Sequence, residues 1–130
     1  MILNQKKILL LGVSYRSDVG DTRYTPVEPF YNYLIKDGAK LQLHDPYVRF
    51  WEEVGVEVDE NIDKGFESEL DLVVITTAHK EYKNSEHLVT LLLKKEELFI
   101  FDTVGLFSNS QILQLSEKHK VRVVGRGDIN

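Results

Sequence analysis

Short continuous apolar runs recur along this chain, each followed by a polar loop and then by a stretch where apolar positions return at helical spacing. Ile8 to Leu11, Leu70 to Thr76 and Leu98 to Phe101 are such runs. Strands covered on both faces of a parallel sheet read in this continuous way rather than as an alternation. Lys40 to His44 and Val121 to Val124 read as further strands, the former closed by Asp45-Pro46, because a proline ring disfavours helical geometry at the residue before it. Val27, Phe30, Leu34 and Ile35 mark the inner face of a helix over Pro26 to Asp37, ended by Gly38. Thr25 is its expected N-cap, with Pro26 as its first residue and Glu28 completing a capping box. Leu88, Val89 and Leu91 to Leu93 mark a second helix, and Ile112, Leu113 and Leu115 the inner face of a third over Ser108 to Lys118.

The middle of the chain is less regular. Tyr47, Phe50, Trp51 and Val54 are helically spaced, in a short segment broken by Gly55. Val56 to Val58 reads as a short edge strand and Glu60 to Glu69 as a short acidic helix starting near Asp59 or Asn61. Strands and helices alternate with short connections, which implies right-handed crossovers and a mainly parallel sheet. The expected fold is a three-layer Rossmann-like α/β sandwich with a doubly wound sheet. Without repeats, low-complexity segments or a Pro/Gly/Ser-rich linker, residues 1–130 read as a single domain.

In such a sheet ligands bind at the carboxyl ends of the strands. The loop between the first strand and the first helix lies there and carries Ser14, Tyr15, Arg16, Asp18, Asp21 and Arg23. Free N–H groups at a helix start favour an anion, and Arg16 and Arg23 would add charge with a geometry suited to phosphate. The same residues would also be satisfied by pairing the two arginines with Asp18 and Asp21 in a solvated loop. Folding as a doubly wound sheet would bring Tyr15, Arg16, Arg23, His79 and Asp102 toward one crevice. His79 follows a buried strand and reads either as a donor, acid or base to a ligand or as a plain polar loop residue. Asp45-Pro46 is most simply a turn, although an acid at this strand end is where ribose hydroxyls are often held.

Composition removes several alternatives. The net charge of -5, with 16 Lys and Arg scattered along the chain, argues against nucleic acid. No cysteine is present, so there is no disulfide framework, thiolate metal site or cysteine nucleophile. His44, His79, His87 and His119 lack metal-ligand spacing, and no metal is expected. Gly12 stands alone at the first turn, where a dinucleotide fingerprint has three glycines, so this loop is not expected to hold NAD. Ser14 lacks the second glycine of a nucleophile elbow, and the acids of a phospho-acceptor receiver are missing after the first and third strands. MILNQKK does not read as a signal peptide and no run is long enough to span a membrane, so the expectation is a cytoplasmic location.

The stretch GVSYRSDVGDTRYTP resembles the loop signature that opens the C-terminal domain of UDP-glucose and GDP-mannose dehydrogenases, Gly-x-x-Tyr/Phe-Lys followed by Asp-x-Arg-x-Ser-Pro. Later elements fit the same order: Gly38-Ala39 before a strand into Asp45-Pro46, a strand into Thr77-Ala78-His79, and a strand ending at Phe101-Asp102. The resemblance runs from about Lys7 to Gly127 and implies a domain that grips a UDP-sugar or related nucleotide sugar while other domains oxidise the sugar C6 with NAD. It implies that Tyr15 lies beside the nucleotide sugar, that Arg16 takes the place of the family's nucleotide-binding lysine, and that Asp21 and Arg23, also among the substrate-binding residues, organise the loop, with Arg23 reaching either the ligand or a neighbouring domain. It places His79 among the substrate-binding residues. Val104 stands where many members carry an arginine. With no dinucleotide fingerprint, catalytic cysteine or helical dimer segment, the chain alone is expected neither to catalyse the reaction nor to bind a cofactor, NAD belonging to a full-length enzyme. Association with an NAD-binding domain or a homodimer is the implied assembly. The competing reading is a non-catalytic assembly or regulatory module that kept the fold and lost the ligand. An independent enzyme using His79 finds no partner base or nucleophile in the sequence.

Overall fold

The computed structural model describes residues 3–125, so Met1, Ile2 and the end of the resemblance at residues 126–127 lie outside it. The elements follow in the order β1 (Lys7–Leu11), α1 (Val27–Lys36), β2 (Lys40–His44), β3 (Phe50–Trp51), β4 (Val56–Glu57), α2 (Ile62–Gly65), β5 (Leu72–Ile75), α3 (Glu86–Lys94), β6 (Phe99–Asp102), α4 (Asn109–Ser116) and β7 (Lys120–Val123). Five strands form one sheet in the order β2-β1-β5-β6-β7, and every pairing in it is parallel. β1 therefore lies between the strand that follows it and one much later in the chain. This is the point where the direction of winding reverses in a doubly wound sheet.

Side chains alternate across the sheet and build a core on each face. Leu9, Leu11, Val73, Ile75, Ile100, Val121 and Val123 meet Leu88, Leu92, Ile112 and Leu115 of α3 and α4. On the other face Ile8, Leu10, Leu72 and Val74 meet Val27 and Leu34 of α1, and Trp51 of the β3–β4 hairpin joins them. Ile8 to Leu11 have no exposed surface, which is why this strand reads as a continuous apolar run. The Rossmann-like α/β sandwich expected from the pattern is the observed architecture. No helix among the described residues is long and apolar enough to cross a membrane.

Several local expectations change. Phe50 and Trp51 pair antiparallel with Glu57 and Val56, with Gly55 in the turn at φ +71, so the helically spaced segment is half of a hairpin. Trp51 is fully buried while Phe50 is half exposed, the alternation of a strand rather than the stripe of a helix. The acidic helix shrinks to the single turn of α2, capped by Asn61, whose side chain accepts from the Asp63 N–H at 3.0 Å. Ile35 and Leu113 point to solvent, because each sits one residue round from its helix's buried stripe at Leu34 and Ile112. The Thr25–Glu28 capping box does not form. The Thr25 hydroxyl instead accepts from the Val27 N–H at 3.2 Å and donates to the Ser14 carbonyl at 3.2 Å, tying the helix start to the loop. The reciprocal box occurs on α4, between Ser108 and Gln111.

Candidate functional site

The β1–α1 loop begins with a close approach. Gly12 has φ +103, donates to the His44 carbonyl at 2.8 Å, and packs so tightly on Thr77 that a side chain there would clash with that residue's side chain and backbone. This turn presses the ends of β1 and β5 together.

Beyond Gly12 the loop is held from beneath by Asp45, which has no exposed surface. Its Oδ2 accepts from the Val13 N–H at 2.9 Å, the Ser14 hydroxyl at 2.8 Å and His79 Nε2 at 2.9 Å, while Oδ1 accepts from the Tyr47 N–H at 2.8 Å. Burial pushes the Asp45 carboxyl up, but the bonds from His79, Val13 and Tyr47 together outweigh it and hold the group below its ordinary value. The Asp18 N–H donates to His79 Nδ1 at 2.8 Å, which assigns the imidazole proton to Nε2. The Asp18 carboxylate closes the circuit by accepting from the Lys80 N–H at 2.6 Å. Asp18 sits at φ +65, a left-handed conformation that aspartate tolerates better than most residues.

A second pinch shapes the exposed side of the loop. The Tyr15 N–H donates to the Asp21 carbonyl at 2.6 Å, and Arg23 makes a fork on the Asp21 carboxylate through Nε at 3.0 Å and an Nη nitrogen at 2.9 Å. Arg23 holds the Asp21 carboxyl down at about 2. Thr22 donates to Glu53 at 2.6 Å, anchoring the same segment to the hairpin. A cavity of about 590 Å³ opens beside it, lined by Arg23, Tyr24, Thr25, Pro26, Glu28, Pro29 and Glu53. Tyr15 is half exposed, and Arg16 is exposed with no ion pair or hydrogen bond among the described residues.

The sequence-derived residues therefore separate into groups. Tyr15, Arg16, Asp21 and Arg23 share one pinched loop. His79 lies fully buried beneath it, with both ring nitrogens engaged, where the resemblance places it among residues touching ligand. Asp102, expected at the same crevice, is buried in its own turn, accepting from Val104 and Phe107 N–H groups at 3.1 and 3.0 Å. Asp45, read from sequence as a turn or a ribose acceptor, is saturated by protein donors. A further buried pair, missed in the sequence, lies next to it: the Tyr82 hydroxyl meets His44 Nδ1 at 2.7 Å, while His44 Nε2 donates to the Glu60 carbonyl at 3.2 Å. No cluster among the described residues could hold a metal ion.

Residues 9–109 match the model of the UDP-glucose/GDP-mannose dehydrogenase family, UDP binding domain. The chain belongs to this family. The UDP-N-acetyl-D-mannosamine dehydrogenase of Methanocaldococcus jannaschii is 31% identical over 123 residues, covering 93% of this chain and 27% of that protein. UDP-glucose 6-dehydrogenase 1 of Arabidopsis thaliana is 30% identical over 118 residues, covering 82% of this chain and 24% of its own length. In structure, the chain resembles an NDP-N-acetyl-D-galactosaminuronic acid dehydrogenase from Methanosarcina mazei with a TM-score of 0.81 over 96% of this chain, at 24% identity and 26% of that chain, a likeness of fold. The chain thus spans about a quarter of the length of these dehydrogenases. As a member of the UDP-glucose/GDP-mannose dehydrogenase family it has the architecture of their UDP-binding domain, with the pinched β1–α1 loop at its winding reversal.

Proposed function

We propose that the β1–α1 loop holds the nucleotide part of a UDP-sugar and positions the sugar so that its C6 is oxidised to the uronate by domains outside this chain, which would also supply NAD. In this reading Arg16 meets the diphosphate, Tyr15 lies beside the nucleotide sugar, and the Asp21–Arg23 fork keeps the loop in shape. His79 acts from beneath, through Asp18, as a positioning residue. Its contribution is proximity rather than chemistry. The supporting observation is the contrast between the arginines: Arg23 is neutralised by Asp21, whereas Arg16 stands exposed and unpaired on the same loop.

Thermal shift and calorimetry of the chain with UDP, UDP-glucose, UDP-glucuronate, GDP-mannose and NAD test this. Stabilisation by one nucleotide class and none by NAD is expected. Arg16→Ala is expected to weaken that binding about ten- to a hundredfold, the loss of one charge-assisted hydrogen bond, without lowering Tm. Unchanged affinity in Arg16→Ala would sink the assignment. The rival reading, a module that kept the fold and lost the ligand, draws on the β6–α4 turn. There Asp102 bonds the Val104 N–H and the Val104 side chain offers no cation. It expects no nucleotide-dependent shift, even after the rest of a dehydrogenase is added.

A further inference from the structure

Strands of a parallel sheet are normally covered on both faces, yet α1 covers only part of its side. On β6 the residue facing α3 and α4, Ile100, has no exposed surface, while Phe99 and Phe101 on the opposite face pack against the edge of the α1-side core and remain only partly buried. The register pairs Phe99 with Lys120 and Phe101 with Arg122, so these four side chains share that face. Val121 and Val123 point the other way into the core. An apolar row and a cationic row thus run side by side, about 5 Å apart. Val124, 58% exposed, lies just past the end of β7. A cavity of about 250 Å³ continues the apolar row toward α1, between Pro26, Val27, Phe30, Thr76, Phe101 and Thr103.

Neither Lys120 nor Arg122 joins an ion pair among the described residues, Arg122 donating only to the Val121 carbonyl at 3.1 Å, whereas Arg23 and Arg49 are both held by carboxylates. The geometry points to an amphipathic helix of a partner protein as the occupant of this face, its apolar stripe on Phe99, Phe101 and the α1 cavity and its Asp or Glu flank on Lys120 and Arg122. Each strand here has four residues, roughly 13 Å, which two to three helical turns would cover. The charge pattern selects an acidic partner and rejects a basic one. This face is separate from the nucleotide loop, and the inference does not depend on that loop's ligand.

The test titrates the isotope-labelled chain, by NMR, with a three-turn helical peptide carrying a leucine stripe flanked by glutamates, and with the same peptide flanked by lysines. The glutamate peptide is expected to shift Phe99, Phe101, Lys120 and Arg122, more weakly as salt rises. The lysine peptide is expected to bind about tenfold more weakly, because attractive surface pairs become repulsive ones. In a Lys120→Glu/Arg122→Glu variant the preference should invert; the two strands' core-facing residues are untouched, and the peptide swap on the unaltered chain is an independent arm. Equal affinity for both peptides, shifts confined to other faces, no shift at millimolar peptide, or self-association through Phe101 would each overturn the proposal.

Discussion

Asp45 accepts four hydrogen bonds with no surface open to water. An amide in its place keeps only one acceptor oxygen, so Asp45→Asn must strand buried donors. The expected cost is about 2–4 kcal/mol, read as a fall of several degrees in Tm, together with a displaced Asp18 amide resonance as His79 loses its orientation. An Asp18 resonance unmoved in that variant would mean that His79 does not transmit the constraint. At this scale the sequence was partly legible. The spacing of Tyr15, Arg16, Asp21 and Arg23 marked the loop, because those residues are neighbours along the chain. The roles of Asp45 and His79 were not visible, since their burial arises only when the ends of β1, β2 and β5 meet, and residue type alone cannot tell a buried anchor from a polar turn.

Elements were legible wherever a single face or a continuous run decided them. β1, β2, β5 and β6 follow their apolar runs closely, and α3 and α4 are capped by Ser85 and Ser108, whose side chains accept from Leu88 and Gln111 N–H groups. Ser108→Ala, which removes one side of a formed capping box, is expected to cost about 1 kcal/mol in denaturant unfolding. Thr25 misled because its hydroxyl serves two partners, one in the loop and one in the helix. Of the hairpin, the second strand was legible at Val56, but the first was not, because four apolar residues in a short stretch satisfy a helical spacing and a two-residue strand equally well. Gly55 in its turn has φ +71 and open space around it, so Gly55→Ala isolates backbone strain. A loss of about 1 kcal/mol is expected, with unchanged nucleotide binding.

The whole molecule should titrate in distinct stages. Burial holds the His44 and His119 pKa values below their ordinary value, so the unfolded chain takes up protons first as pH falls. Stability from these groups is complete above about pH 6.5 and declines below it. Asp21 and Asp45 are held low, so their contribution is present above about pH 4 and lost as pH falls further. Circular-dichroism melts are expected to show a level Tm near neutrality, a decline below about pH 6.5 and a second below about pH 4. His44→Gln with His119→Gln should remove the first decline, and its persistence would assign it elsewhere. The fold class was legible at this scale because alternating elements with short connections leave few topologies, whereas the partly exposed edge of one sheet face was not, since Phe99 and Phe101 look like fully buried core residues in one dimension. β1 is the first strand made and the one whose loop depends on the later chain. Its loop is fastened by Asp45 from the turn after β2 and by His79 and Lys80 from a segment after β5. On the ribosome, where domains form as their segments emerge, Arg16 is made early yet stays unshaped until His79 and Lys80 have cleared the exit tunnel. A stalled or prematurely terminated chain ending before them would carry the whole signature sequence without the two bonds that hold Asp18.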